Sequence, residues 1–140
     1  LGYARGQADL AGMKLSQKFL LLAAIGLAPI ALGYGFRPER SLPWLYGVEV
    51  TSPNGTLVFR AVMGLYFGMC VLWLLGAFKP DMTRTALWSL VIFMLGLAAG
   101  RLLSLIVDGP AHWLLIGYLL LELVFGAAGL WFLKQEPQRS

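Results

Sequence analysis

Four stretches of this chain are too long and too apolar to be core segments of a small soluble domain, and this restricts the fold more than any motif does. Phe19–Phe36 is eighteen residues without a charge. Thr56–Phe78 carries one charge, Arg60, and Ala111–Leu133 carries one, Glu122, with eleven uncharged residues on either side. A further apolar stretch opens at Thr83 or Thr85 and runs to Val107 with Arg101 inside it. A hydrocarbon core about 30 Å thick is crossed by about 20 apolar residues in a helix. Only 13% of the residues are charged, against about 25% in soluble chains. Lipid is therefore the expected solvent.

The spacing predicts an all-α fold, an integral membrane antiparallel four-helix bundle with helices at about 16–36, 56–78, 83–107 and 111–133. They form one domain, 15–134, after an N-terminal extension, 1–14, and before a polar tail, 135–140. Met13-Lys14-Leu15 reads as a natural start, so the twelve residues before it are expected to lie outside the fold. A basic start and Ala31-Leu32-Gly33 give the first run some likeness to a secretory signal. Its length exceeds a usual signal core, and a spanning helix is expected instead. Pro29 should kink that helix or end its regular part. Lys79-Pro80-Asp81 and Asp108-Gly109-Pro110 are short stops, so the last three helices should be sequential antiparallel neighbours.

Phe36–Gly55 is the one long connection. It holds Pro38, Pro43 and Pro53 around Trp44, Leu45 and Tyr46. Apolar aromatics in a Pro-broken segment are expected to lie in the membrane interface. Asn54-Gly55-Thr56 matches a glycosylation sequon, but a turn into a helix cap is the expected reading.

Lysines and arginines set orientation. Lys14, Lys18, Lys79, Arg84, Lys134 and Arg139 fall on one side, and Arg37 and Arg40 on the other. The rule that basic flanks stay inside predicts cytoplasmic termini in a multi-pass protein of the cell inner membrane. Tyr34, Trp44, Tyr46 and Trp113 are then expected at the outer interface, and Trp73, Trp88 and Trp131 at the inner one. The net charge of +4 is spread over these flanks, so no nucleic-acid partner is expected.

Gly96–Pro110, GLAAGRLLSLIVDGP, departs from this plain pattern. Arg101, Ser104 and Asp108 stand at i, i+3 and i+7 and share one helical face. An arginine inside a membrane helix costs about 2.5–3.5 kcal/mol at the helix centre and needs compensation. Counted by helical rise, Arg101 lies roughly 10 Å and Glu122 roughly 16 Å below the outer end, within reach of one another. Arg60, about 6 Å down by the same count, is expected to approach from the second helix. The predicted site is a polar pocket of Arg60, Arg101, Ser104, Asp108 and Glu122, with Trp44 and Tyr46 as its cover. Gly64, Gly68, Gly96, Gly100 and Gly126 are expected to bring the helices together closely.

Other residues carry less chemistry. One cysteine, Cys70, and one histidine, His112, cannot build a zinc site alone. Cys70 is expected as packing and His112 as polar surface. No phosphate-binding loop, HExxH, Ser-His-Asp set or dinucleotide fingerprint occurs, so no cofactor, metal or catalytic residue is expected.

RAVMGLYFG in the second helix, GLAAGRLLSLIVDGP across the third and a glutamate in the fourth resemble the small four-helix membrane proteins of domain of unknown function 4345, relatives of the DoxX-like group. The likeness covers roughly Leu20–Leu133. It implies a bacterial inner-membrane protein whose matching positions are Arg60, Gly64, Gly96, Arg101, Ser104, Asp108, Gly109, Pro110 and Glu122. It implies no activity. The residues themselves favour a non-enzymatic binding or accessory subunit whose pocket takes an anionic or amphiphilic ligand or docks a partner. Two arginines against one deep carboxylate are the reason for an anion. A small transporter or proton pathway through Glu122 is the alternative, and a membrane enzyme on a lipid-like substrate the third. Membrane lipids are the expected surroundings, with a partner membrane protein or a homo-oligomer as possible company.

Overall fold

A computed structural model describes residues 10–138. Its helices are α1 (Leu15–Gly35), α2 (Pro38–Tyr46), α3 (Pro53–Phe78), α4 (Thr83–Val107) and α5 (Trp113–Gln135). There is no strand among the described residues. All except α2 are long and apolar enough to cross a membrane, and the chain is a multi-pass membrane protein. The observed bounds lie within a few residues of those expected. The largest shifts are at α3, which starts at Pro53, and α5, which runs from Trp113 to Gln135.

Local chemistry explains the ends. Pro53 stands in the first turn of α3, and Ser52 caps it by accepting the Gly55 N–H at 3.2 Å. The sequon residues thus lie in a capped helix start. The Phe36–Gly55 segment contains a true helix. α2 begins on Pro38, the position where a missing N–H does no harm. It stops at Gly47, whose φ of 68° is the left-handed conformation glycine reaches freely. Pro29 does not end α1, which continues to Gly35. His112 is more than polar surface: its Nδ1 accepts the Leu114 N–H at 3.3 Å and caps α5.

α1 packs on α3 and α4 on α5, and the two hairpin-like pairs meet along α3 and α4. The end that carries Lys14, Lys79 and Lys134, here the lysine end, is bound tightly. Gln17 donates to the Ala77 carbonyl at 3.0 Å and Thr83 to the Gly76 carbonyl at 2.7 Å, so α3's orphan carbonyls find partners. Arg84 does the same for α5, donating to the Leu133 and Glu136 carbonyls at 3.3 and 3.0 Å. Ser16 hydrogen-bonds Glu136, joining α1 to the residue just past α5. At the opposite end, α2 lies against the bundle through buried Leu42 and Tyr46.

Three aromatics expected at an interface, Trp73, Tyr34 and Tyr46, are buried instead. Trp73 is fully buried, donates to Ser89 Oγ at 3.2 Å and meets Phe93 edge-on at 5.7 Å. Tyr34 is buried among other aromatics. Trp44, Trp88, Trp113 and Trp131 are exposed.

The close helix contacts are mostly made by other glycines than those expected. A Cβ at Gly64, Gly68, Gly96 or Gly100 would meet open space. Those faces point away from the bundle, and this corrects the expectation for all four. Gly126 does pack closely, with Leu95 at 2.7 Å from a Cβ position, and Gly129 packs against Val91. The closest approaches are Gly35 against Met63 and Gly76 against Ala86. Gly76→Ala is expected to destabilise the folded protein by about 1–3 kcal/mol, because the methyl meets a rigid Cβ on the next helix. Gly96→Ala should be neutral, or stabilising by up to about 1 kcal/mol of helix propensity. Thermal unfolding in detergent checks this, and equal effects of the two changes would contradict the packing.

Candidate functional site

The short connection between α4 and α5 makes Arg101 and Glu122 neighbours. Arg101 Nε donates to Glu122 Oε1 at 2.9 Å and lies 3.1 Å from Oε2. Glu122 is buried, and the arginine side chain keeps 20% of its exposure. Membrane charges persist when they pair in this way. One guanidinium Nη donates to the Tyr34 hydroxyl at 3.4 Å, and the charge centre lies 5.8 Å from the Tyr118 ring. That ring face adds a favourable cation–π contact.

The other expected members stand apart. Arg60 is exposed on α3 and enters no ion pair among the described residues. Its position follows from the rotation of α3, which turns Phe59 and Met63 toward Tyr34 and Gly35 of α1 and leaves Arg60 outside. Ser104 donates to Asp108 Oδ2 at 2.7 Å, but both are exposed, at the end of α4. Two of the five expected residues therefore form the centre. The expected cover divides: Tyr46 turns inward and is buried, while Trp44 is 83% exposed.

Tyrosines complete the centre. Tyr34 stacks on Tyr46 at 5.3 Å and meets Tyr66 edge-on at 5.5 Å. The Tyr46 and Tyr118 hydroxyls share a hydrogen bond of 3.0 Å across α2 and α5. Burial, and then that bond to Tyr118, push the Tyr46 phenol well above the usual tyrosine range, so it stays a neutral hydrogen-bonding group. Every tyrosine among the described residues thus stands around Arg101. Sequence reasoning missed Tyr34, whose place beside a helix end looks like an interface anchor. The sequence carried one usable hint, that four tyrosines come from four different helices.

Beside the ion pair lies a cavity of about 100 Å³ between α1, α4 and α5. Arg101, Glu122, Tyr66 and Tyr118 supply its polar groups, and residues such as Leu27, Met94 and Phe125 its apolar wall. α1 and α5 do not pack backbone-close along this side. Gly26 of α1 and Leu121 of α5 line the cavity and are exposed, so it opens sideways between them. Toward the lysine end, the lining residue Phe125 stacks on Phe19 of α1 at 5.4 Å. Toward α2, the lining residue Tyr118 bonds the Tyr46 hydroxyl. A second hollow of about 100 Å³ touches the other side of Arg101 and reaches Ser104 and Ala111.

The polar groups that face the cavity are hydrogen-bond donors and acceptors. The Cys70 thiol is buried and contacts the Ala24 carbonyl at 3.5 Å, away from the cavity wall. No cluster of metal-ligating side chains occurs among the described residues. Of the five guanidinium N–H donors, one faces Glu122 and one Tyr34, which leaves the rest without a protein acceptor among those residues.

The family described as Domain of unknown function (DUF4345) matches residues 15–133. That match carries the family alone and not the wider DoxX-like kinship. No curated protein and no solved structure matches the chain.

Proposed function

The chain belongs to the DUF4345 family, whose description names no activity, and from the site itself we propose a non-enzymatic binding protein that takes an amphiphilic molecule from the surrounding bilayer. The observation that carries this reading is the cavity: apolar over most of its wall, bordered by the exposed Gly26 and Leu121, with a guanidinium and a carboxylate on one side. A molecule dissolved in lipid meets such an opening without passing through water. Its apolar part replaces the contacts that an empty hollow lacks, and its polar part meets Arg101. An engineered cavity of about 150 Å³ holds a benzene ring, so about 100 Å³ holds a short segment of chain, the rest lying in the groove between α1 and α5.

Orientation belongs to the same proposal. Lys14, Lys79, Arg84 and Lys134 share one end and Arg37 and Arg40 the other. The chain is read as a protein of the bacterial inner membrane with both termini cytoplasmic and the cavity in the outer leaflet. A proton path through Glu122 is the weaker reading, because Arg101 Nε faces both carboxylate oxygens.

Gly26→Trp tests the reading. A Cβ there meets nothing within 4 Å, so the indole enters the opening without disturbing helix packing. Native mass spectrometry of the purified protein should show a co-purifying amphiphile in the wild type and in Gly64→Trp, which alters an equally open face elsewhere. The amphiphile should be lost in Gly26→Trp. A wild type without adduct, or an adduct retained in Gly26→Trp, would exclude this cavity as the binding site.

A further inference from the structure

Tyr66 lines the cavity with 4% of its surface exposed. Its hydroxyl has no hydrogen-bond partner among the described residues, yet no enclosed polar atom there is left without one. The hydroxyl therefore keeps its access through the cavity. A phenol more than nine-tenths buried and unpartnered is a donor waiting for an acceptor.

The charge around it is balanced. An anionic ligand was attractive while two arginines faced one carboxylate. Arg60 is exposed elsewhere, and Arg101 is already engaged by Glu122 at 2.9 Å. An added carboxylate or phosphate would face Glu122 with no cation left over and would lose its hydration on entering. A carbonyl or hydroxyl oxygen pays no such cost. It can accept from Tyr66 or from the free guanidinium N–H groups, and a hydroxyl can also donate to a tyrosine oxygen.

Resting on the binding function proposed above, we infer that the ligand is an uncharged single-chain amphiphile, an alcohol, ester or ketone of a long hydrocarbon, with its oxygen between Tyr66 and Arg101 and its chain leaving between Gly26 and Leu121. A single chain is specified because the hollow is narrow and its exit lies between two helices. Glu122 acts as the selectivity element: it excludes anions by neutralising the one cation the cavity offers.

The experiment compares two spin-labelled chains of equal length, a fatty alcohol and the corresponding fatty acid. The full-length protein is reconstituted in phosphatidylcholine vesicles at pH 9, where the acid is ionised. The cavity population is the immobilised component present in wild type and lost in Gly26→Trp, or in Leu121→Trp should the first variant not fold. This subtraction removes chains held by surface arginines. The alcohol is expected to occupy the cavity at least tenfold more strongly than the carboxylate. Glu122→Gln, which leaves Arg101 uncompensated, should reverse that order. A carboxylate that binds as well as or better than the alcohol in wild type overturns the inference and leaves the binding function standing. A cavity component for neither chain overturns both.

Discussion

Glu122→Leu is expected to cost the folded bundle about 3–5 kcal/mol, the price of leaving one charge of a buried pair uncompensated. Arg101→Met should cost a similar amount. The double change, Arg101→Met with Glu122→Leu, should recover most of the loss and fold about as stably as the wild type, because replacing a buried ion pair by apolar residues of similar size is often neutral or better. The reason lies in the surroundings. Each group has been taken out of water, and the 2.9 Å contact is what makes that tolerable for both. Reversible unfolding in mixed detergent micelles, run as a double-mutant cycle, measures the coupling. A double variant as unstable as the two single losses added together would show that the pair does not act as a unit. The same variant separates stability from function: with no cation in the cavity it should still exclude a carboxylate, whose lost hydration nothing offsets, and should hold the alcohol through Tyr66 alone.

Trp73→Ala is the second large effect, at about 3–5 kcal/mol. The side chain is fully buried, meets Phe93 edge-on and donates to Ser89. In lipid the loss is chiefly one of packing contacts, since an apolar group gains little by leaving hydrocarbon for a protein interior. Trp73→Phe keeps a ring against Phe93 and gives up the indole N–H, so it should cost less than the alanine change. Trp88, 46% exposed, is the control. A Trp73→Ala loss no greater than that of Trp88→Ala would place Trp73 outside the core.

Much of the architecture is legible in the sequence. Uninterrupted apolar runs, each ended by proline or charge, fixed the number of spans and their antiparallel order. The Arg101–Glu122 contact was also legible. A short turn joins α4 to α5, and counting rise from it brings the two side chains within reach. What could not be read was the rotation of each helix about its axis. A soluble helix shows its inner face by being polar on the other, whereas these spans are apolar all round. Arg60 could therefore be assigned to the site, and Gly64, Gly68, Gly96 and Gly100 to the interfaces, with nothing in the pattern to object. Tyr34 and Trp73 were misplaced for a related reason. Their rings suit a membrane interface and a buried hydrogen bond equally well.

The fastenings of this bundle are unequal. At the lysine end, Gln17, Thr83 and Arg84 tie side chains to the last carbonyls of neighbouring helices, and Gly76 lies directly against Ala86. At the other end Gly35 lies against Met63, but the one side-chain hydrogen bond joining α2 to α5 among the described residues is phenol to phenol. Such a layout resembles a clothes-peg, with its spring at one end and its jaws at the other. The gap between α1 and α5 is therefore expected to widen by a pivot about the lysine end rather than by separation of the helices.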